Sequence, residues 1–416
     1  MSLLELSARI LAGQTSIEEH HPFAPTNTLE EVAGGCAFVD SFANVTCFDT
    51  GEGLCLVDTG SVLAAGAIHA AVRAWSHERV ARAVYTHGHI DHVFGTKAFE
   101  AESPLEVVAH EAVNARFDRY LRTAGYNATV NRRQFRVRSL QWPVDYRRPD
   151  RTYRDRLDLH DGELTFELHH ARGETDDHTW VWVPQRRVLC TGDLFIWCSP
   201  NAGNPQKVQR YPDEWAAALR EMAELGAEVL LPGHGLPIAG RDQVRTALLE
   251  TAELCQSLVD QTLALMNEGA RLDTILHTVT VPPHLAQRPY LRPIYDEPEF
   301  VVHNVWRLYG GWYDGNPATL KPAPDAALAA ELARLAGGAP QLAQRARQLA
   351  EAGELRIAGH LAELAALAAP ADPAVHRARA EVFGRRARAE PSLMARGVFA
   401  WAEDESQRRA AELERS

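Results

Sequence analysis

Residues 87–92 read His-Gly-His-Ile-Asp-His and place four side chains of metal-ligand type within six positions. The motif follows the apolar run 82–85, which predicts a strand, and precedes an apolar stretch that predicts the start of a helix. On a turn after a strand, His87 and His89 can reach one metal ion, while Asp91 and His92 point towards a second ion about 3.5–4 Å away. The motif therefore predicts a dinuclear metal site and a fold that presents strand ends side by side.

Short β-rich runs alternate with helical patterns up to residue 275. Helical spacing is found at 63–76, 213–225 and 241–267. Apolar runs, several of them ending in a polar residue, occupy 51–60, 82–92, 105–110, 164–171, 179–184, 187–193 and 227–235. The alternation predicts a layered α/β fold, in which side chains that leave adjacent strands converge at one edge.

Two later strand ends supply further ligands of the same chemical type. Asp193 ends the run 187–193 and is a carboxylate suited to bridging two cations, and His234 lies between glycines that allow a tight turn. Asp58 ends an earlier strand, and we expect it to hydrogen-bond and orient the ligand loops rather than to bind metal.

Length and charge narrow the classes of protein to which the chain can belong. At 416 residues it is longer than the ~100–200 residues of an ordinary domain, which predicts two or three domains. The formal net charge of −12 argues against a nucleic-acid partner, whereas a small anionic ester can still enter a local basic pocket. No run reaches the ~18 apolar residues of a membrane span, no secretory signal is evident, and six dispersed cysteines favour a reduced, cytoplasmic protein.

The composition changes after residue 275. A proline-rich stretch at 281–298 leads into an aromatic block at 301–322, and the remainder is rich in alanine, leucine, arginine and glutamate. Helices are predicted at 325–335, 341–352, 354–368 and 373–388, with one more near the carboxyl end. We therefore predict a catalytic domain at 1–275 and an all-α domain of helical hairpins at 276–416. The helical domain is expected to serve as a scaffold or dimerisation surface rather than to carry out chemistry.

The motifs DTG (58–60), HGHIDH (87–92), TGD (191–193) and GHG (233–235) together resemble the metallo-β-lactamase fold superfamily over residues 30–240. The resemblance implies an αββα sandwich with a dinuclear metal site along one edge of two packed sheets. Where most of that superfamily has a histidine, this chain has Glu174 in the run ARGETDDHT, which resembles the alkyl sulfatase branch. His169, His170 and His178 are the alternatives to Glu174, and His178 is also a candidate to support the ligands.

This resemblance implies seven ligands in two groups: His87, His89 and Glu174 for one ion, Asp91, His92 and His234 for the other, and Asp193 as the bridge. Oxygen and nitrogen ligands without cysteine suit two Zn²⁺, and Mn or Fe would also fit. Asp91 and Asp193 are expected to serve catalysis as well as metal binding. Two such ions would lower the pKa of a shared water from 15.7 to about 7 and supply hydroxide at neutral pH.

A second stretch is similar to the start of the alkyl sulfatase dimerisation domain. The matching residues are His303, Asn304, Tyr309, Gly311, Trp312, Asp314, Gly315, Asn316, Pro317 and Leu320. The resemblance implies a homodimer. Full-length alkyl sulfatases carry a further sterol-carrier-like domain after these helices, which this sequence lacks, so long-chain detergents are less expected as substrates than shorter esters.

Together the resemblances imply hydrolysis of alkyl sulfate esters by a metal-bound hydroxide, with release of inorganic sulfate. An anion clamp is expected from Lys207 or Arg210, which follow the bridging carboxylate. Asn201 in the same segment is a further substrate-binding candidate, with Asn204 nearby. Tyr126, Asn127 and Arg133 are further substrate-side candidates, unless 125–135 is an ordinary loop. The alternatives are hydrolysis of another ester, thioester, lactone or phosphodiester, or a non-enzymatic metal-containing scaffold.

Overall fold

The computed structural model describes residues 1–415 and divides them into two compact units. The first unit comprises Met1–Ala124, Pro143–Pro293 and Glu297–Trp312. The second comprises Gly125–Trp142, Ile294–Asp296 and the chain from Tyr313 onward. These compact units do not begin and end at residue 275. The domain boundary predicted there from the sequence stays a prediction.

Two β-sheets form the centre of the first unit. Within residues 1–415 the first sheet has seven strands in chain order: β1 Leu29–Ala33, β2 Cys36–Val39, β3 Val45–Asp49, β4 Leu54–Val57, β5 Val80–Val84, β6 Glu106–His110 and β7 Arg151–Tyr153. The second sheet has six, in the order β13-β12-β11-β10-β9-β8: β8 Arg156–Asp161, β9 Leu164–His170, β10 Thr179–Val183, β11 Val188–Ile196, β12 Val229–His234 and β13 Ile238–Ala239. β4 to β7 pair in parallel, as do β11 and β12, and the other pairs are antiparallel.

Helices cover the outer faces of the paired sheets. The rings of Phe48 in β3 and Phe166 in β9 meet edge to face at 5.2 Å between the two sheets. The helices of this unit are α1 Leu3–Leu11, α2 Ala65–Trp75, α3 Ile90–Val93, α4 Thr96–Glu100, α5 Ala112–Arg122, α7 Pro212–Ala223, α8 Arg241–Asn267, α9 Leu272–Thr278, α10 Pro283–Ala286, a 3₁₀ turn at Pro289–Leu291 and α11 Pro298–Gly310. α2 packs on β1 and β2, while α7 packs on β11 and α8 on β12. This layering confirms the predicted α/β sandwich.

The second unit is helical. It contains α6 Ala124–Phe135 from residue 125 onward, α12 Pro317–Leu320, α13 Asp325–Leu335, α14 Ala339–Glu351, α15 Leu355–Ala368, α16 Pro373–Ala389 and α17 Leu393–Arg415. Small buried residues such as Ala343, Ala365 and Ala378 line one core and allow close helix approach. Asp372 caps α16 by accepting hydrogen bonds from the Ala374 and Val375 amides. Helices thus follow the predicted pattern, and 125–135, which was open to interpretation as a loop, is a helix.

The lengths and polarity of the helices bear on whether any of them could span a membrane. Among residues 1–415, no helix is long and apolar enough to cross a membrane.

The turn that carries His234 is fastened to the first sheet by one buried side chain. The Asn44 amide donates from Nδ2 to the carbonyls of Pro232 (3.0 Å) and Gly235 (2.9 Å). A Cβ on Gly233 would lie 2.1 Å from Oδ1 of Asp193, so only glycine lets this turn approach the neighbouring strand. Asn44 therefore holds the end of β12 against the segment that leads into β3, and Gly233 lets the same end approach Asp193 in β11.

The Asn44→Ala variant should lower the free energy of unfolding by about 2–4 kcal/mol, because two buried carbonyls lose their donors. The comparison is urea unfolding in the presence of chelator, followed by tryptophan fluorescence. Asn267→Ala, at the exposed end of α8, serves as the matched control. An effect of Asn44→Ala no larger than that of the control would refute the role of Asn44.

Candidate metal centre

Seven residues of ligand type converge at one end of the paired sheets. His87 and His89 lie on the turn after β5, and Asp91 and His92 lie in the short helix α3. The others come from the second sheet: Glu174 between β9 and β10, Asp193 within β11, and His234 at the end of β12. The residues that sequence motifs singled out separately are therefore brought together by the fold.

Four of these residues form the first group. Nε2 of His87 lies 2.7 Å from Nδ1 of His89. Oε2 of Glu174 lies 3.6 Å from His87 Nε2 and 3.5 Å from His89 Nδ1. Oδ2 of Asp193 lies 3.7 Å from His87 Nε2. These atoms all lie within 4.8 Å of one another, a spacing that a single metal ion can span.

Asp91, His92 and His234 form the second group. Oδ2 of Asp91 lies 3.8 Å from His92 Nε2 and 3.5 Å from His234 Nε2. The oxygens of Asp193 also reach this group, with Oδ1 3.3 Å from His92 Nε2 and Oδ2 3.3 Å from His234 Nε2. Asp193 therefore lies between the two groups, where a bridging carboxylate is needed.

Buried atoms without hydrogen-bond partners show that the donor set fits cations. In the described chain, His92 Nε2, Glu174 Oε2 and Asp193 Oδ1 are all buried and lack a hydrogen-bond partner. Such atoms are costly to leave unsatisfied in a folded protein. All three face the interior of the cluster, so a divalent cation there would satisfy each of them.

Burial and mutual charge strongly perturb the titration of the cluster. Burial raises the pKa of Glu174 to about 8, although Arg210 opposes the shift. Burial also acts to raise the pKa of Asp193, but the imidazoles of His234, His92 and His87 hold it well below its usual range. Despite burial, Asp193 in turn raises the pKa of His92 and of His234. In the absence of metal, the cluster thus holds protons that a cation would displace.

Asp58 orients one of the ligands, as the sequence predicted. Its Oδ2 accepts hydrogen bonds from Nδ1 of His92 and Oγ1 of Thr86, both at 2.7 Å. Its Oδ1 accepts from the Thr86 amide, also at 2.7 Å. Because Nδ1 of His92 is engaged in this way, Nε2 is the atom presented to the cluster. Asp58 has a positive φ of 61°, a strained conformation that these hydrogen bonds hold in place.

Asp177, which the sequence analysis did not single out, holds the turn between His87 and His89. Oδ2 of Asp177 accepts from the Gly88 amide at 2.9 Å, and Oδ1 lies 2.8 Å from Nε of the buried Arg116. The adjacent acidic pair at 176–177, next to a candidate ligand, was the available signal. Nothing local to Arg116 marked it, because its partner is 61 positions away along the chain.

None of the three histidine alternatives to Glu174 belongs to either group of candidate ligands. Nε2 of His178 accepts a hydrogen bond from the Asp193 amide at 3.0 Å, and its ring stacks on His87 at 4.8 Å between centroids. Burial lowers the pKa of His178 to about 4, so it is neutral and can accept. The ring of His169 stacks on Trp180 (3.9 Å), and that of His170 stacks on His110 (3.7 Å). Of these four residues, only Glu174 and His178 adjoin the cluster.

The predicted substrate-binding residues have different surroundings. Asn201 and Arg210 both contact Oε1 of Glu174, and their role in substrate binding stays a prediction. Lys207 is electrostatically coupled to Asp91 and Glu174, and burial, with the nearby Arg210, lowers its pKa to about 8. Asn127 is buried on α6 in the second unit and stays a prediction.

Two aromatic rings flank His234. The ring of Phe42 meets the imidazole edge to face at 5.1 Å, and that of Phe23 does so at 5.8 Å. Nδ1 of His234 donates to the Phe42 carbonyl oxygen, which leaves Nε2 for the cluster. These neighbours lie far from His234 along the chain, and nothing in their own sequence context marked them.

Family profiles match two parts of the chain. The profile described as metallo-beta-lactamase superfamily matches residues 39–234, and the one described as alkyl sulfatase dimerisation matches residues 271–409. These matches confirm both resemblances seen in the sequence. The chain combines a metallo-beta-lactamase superfamily domain with an alkyl sulfatase dimerisation region, and this fold together with the His, Asp and Glu cluster indicates binding of divalent metal.

Two named relatives are similar to most of this chain. A linear primary-alkylsulfatase from a Pseudomonas species is 30% identical over 339 residues, which cover 74% of this chain and 62% of that protein. An (R)-specific secondary-alkylsulfatase from Pseudomonas is 27% identical over 79% of this chain and 55% of that protein. This chain thus spans less than two thirds of the length of either relative.

A solved structure has the same fold. The stereoselective inverting sec-alkylsulfatase Pisa1 from Pseudomonas matches with a TM-score of 0.82 at 23% identity, over 92% of this chain and 66% of that one. At this identity, the likeness extends to the fold alone.

Metal uptake by chelator-treated protein should release protons near pH 7. Glu174 has a pKa of about 8 without metal, so it is protonated at pH 7 and must lose that proton to bind a cation. Metal affinity should therefore rise with pH, because the protons on Glu174, His92 and His234 become easier to displace. Calorimetric titration with Zn²⁺ in buffers of different ionisation enthalpy measures the proton count, and heats independent of the buffer would contradict this prediction.

Proposed function

We propose that this chain hydrolyses alkyl sulfate esters at a centre of two Zn²⁺ ions and releases inorganic sulfate. The observation that carries the proposal is the position of Asp193, whose carboxylate contacts both groups of candidate ligands. Its Oδ2 lies near His87 of the first group and His234 of the second, and its Oδ1 lies near His92 of the second group. Relatives named as alkylsulfatases support the choice of substrate class. Manganese or iron would suit the same nitrogen and oxygen ligands.

The ligand groups divide between the two ions as follows: His87, His89 and Glu174 would hold one, Asp91, His92 and His234 the other, and Asp193 would contact both. Bound ions of this kind acidify a water molecule and neutralise charge that develops on the ester oxygens. Two divalent cations carry more positive charge than the three carboxylates neutralise. The site would therefore attract an anion although the chain as a whole is acidic.

Residues around the ligands have distinct tasks in this proposal. Asp58 and the Phe42 carbonyl fix the rings of His92 and His234, so neither imidazole has to be oriented during turnover. The side chain of Asp91 is 23% exposed against 5% for Asp193. Asp91 is therefore the better placed of these two carboxylates to exchange a proton with water or substrate.

Lys207 is the residue we propose to hold the sulfate group. It is partly buried and lies in the field of Asp91 and Glu174, close to the cluster. With a pKa of about 8 it remains mostly protonated at pH 7, and an anionic substrate would favour the charged form further. Asn127 remains a further candidate for substrate contact.

Other reactions on the same centre are the alternative, because this fold supports many chemistries. Hydrolysis of another ester, a thioester, a lactone or a phosphodiester would use the same metal ligands. Lys207 would favour an anionic substrate, a sulfate ester or a phosphodiester, over an uncharged lactone or ester, which offers no negative charge to pair with its ammonium group. A non-enzymatic scaffold remains the third interpretation, and it predicts no turnover of any of these substrates.

The remaining assignments follow from the matched region and from composition. We propose a homodimer, because residues 271–409 match an alkyl sulfatase dimerisation profile. A cytoplasmic location stays a prediction from the sequence.

Zinc-loaded protein should release inorganic sulfate from alkyl sulfates, and Asp193→Ala should lower kcat/KM by about 10²–10³-fold or more, because the cluster loses its central charge. Sulfate is quantified for a series of chain lengths at equal metal loading. If no chain length yields sulfate from protein with two metal ions bound, the proposal fails and the alternative esters become the test set.

Lys207→Ala should raise KM for an alkyl sulfate about 10–100-fold, because a charge-assisted contact of ~1.5–3 kcal/mol is lost. Lys321→Ala, an exposed lysine of the second unit, is the matched control and should leave KM unchanged. An equal KM in wild type and Lys207→Ala would show that another residue binds the sulfate.

A further inference from the structure

The two carboxylate oxygens of Glu174 have opposite surroundings. Oε1 accepts a hydrogen bond from Nδ2 of Asn201 and lies 2.8 Å from Nη1 of Arg210. Oε2 is buried, has no hydrogen-bond partner in the described chain, and faces His87 and His89. One oxygen is therefore held by the protein while the other is directed into the first ligand group.

Arg210 holds Glu174 at two points. Its Nη1 donates to the Glu174 backbone carbonyl as well as contacting the carboxylate. Only 2% of Arg210 is exposed, and a buried arginine without an anionic partner would be very costly. The contact therefore fixes both the backbone and the side chain of Glu174, and it pairs two opposite buried charges once the carboxylate has lost its proton.

Arg210 is held in turn by Asn304 in α11. Oδ1 of Asn304 accepts from the Arg210 amide at 3.2 Å, and Nδ2 of Asn304 donates to the Arg210 carbonyl at 2.9 Å. A Cβ on Gly203 would lie 2.1 Å from the carbonyl oxygen of Phe300, so the loop packs tightly against the start of the same helix. Asn304 belongs to the region 271–409 that matches the dimerisation profile.

We propose that Asn304 and Arg210 form a positioning relay that directs Oε2 of Glu174 towards the first metal ion. The relay links the glutamate in a histidine position with Asn304, one of the residues that resemble the dimerisation domain. It rests on the proposed metal site and replaces the expected anion clamp at Arg210 by a positioning role. Asn201 acts with Arg210 on the same oxygen.

A carboxylate ligand needs such support more than an imidazole does. A glutamate side chain has three rotatable torsions and loses up to ~2 kcal/mol of rotamer freedom when ordered, and its two oxygens can exchange as ligands. Holding Oε1 removes both freedoms before metal arrives. Partners that orient a metal ligand in this way typically contribute 10–100-fold to metal affinity or activity.

The competing interpretation is that Arg210 binds sulfate directly. Nε of Arg210 is buried and has no hydrogen-bond partner in the described part of the chain, so it is the atom through which a clamp would act. The two interpretations differ in what an Arg210 variant changes. A clamp changes KM and leaves metal binding intact, whereas the relay changes metal binding even with no substrate present.

The test measures the two stepwise metal affinities of chelator-treated protein by competition with a chromophoric chelator. Glu174→Gln first identifies which step belongs to the first ligand group. Arg210→Gln should weaken that step about 10–100-fold and leave the other within about two-fold. In Co²⁺-loaded protein it should also alter the visible absorption of that step. Arg172→Gln, which removes a half-exposed arginine paired with Glu214 near the same loop, is the matched control and should match wild type.

A double-mutant comparison checks that Arg210 acts through Glu174. Adding Arg210→Gln to Glu174→Gln should weaken the first step little further, because the relay has lost its target. Unchanged metal affinity in Arg210→Gln, an equal loss at both steps, or full additivity would each overturn the relay. Unchanged affinity with a raised KM would assign Arg210 to the clamp.

Asn304→Ala and Asn201→Ala keep the proposal testable if Arg210→Gln does not fold. Each removes only part of the support, so each should weaken the same metal step by a smaller factor than Arg210→Gln, and loss at the other step or at neither would overturn the relay. Two metal ions in the wild type without sulfate release would refute the proposed function alone, because the relay is measured without substrate.

Discussion

The buried carboxylate of Asp193 is the group on which the rest of the site depends. Its oxygens face the imidazoles of His87, His92 and His234, of which the first two come from the 87–92 motif after β5 and the third from the end of β12. A buried negative charge is tolerated only with such partners, and together they keep the pKa of Asp193 low in spite of burial. The ends of β5, β11 and β12 must therefore meet before this charge is compensated, which ties the packing of the two sheets to the assembly of the site.

The geometry of the cluster depends on residues around it as well as on the candidate ligands themselves. Two of the imidazoles are oriented by groups outside the cluster, His92 by Asp58 and His234 by the Phe42 carbonyl. Arg210 contacts Oε1 of Glu174, the oxygen that faces away from the other candidate ligands, and Asn304 of α11 hydrogen-bonds the backbone of Arg210. The metal site is thus continuous with a helix that the family profile assigns to the dimerisation region, within a single compact unit.

Local sequence signals predicted most strands and helices well, but they predicted poorly which side chains come into contact. The strands β5, β9, β10, β11 and β12 and the helices α7, α8 and α13 to α16 lie close to the positions expected from hydrophobic periodicity and from proline and glycine punctuation. Helix α6 was left open as a loop, because its polar run of 125–135 has weak amphipathic spacing. Arg210 was expected to face substrate, since a basic residue in a polar segment gives no sign that it will be buried against a carboxylate.

The sequence by itself determined the ligand types and their order along the chain, because metal chemistry demands particular side chains at short and regular spacings. It also indicated that Glu174 replaces an imidazole. Only the tertiary structure decided which carboxylate oxygen of Glu174 faces the other ligands, and that Arg210 and Asn304 stand behind it. The contact between Arg210 and Glu174 joins residues that are 36 positions apart along the chain, and the contact between Arg210 and Asn304 joins residues that are 94 positions apart. Side-chain burial and hydrogen bonding across such separations depend on how the sheets and α11 pack, and no local pattern encodes that packing.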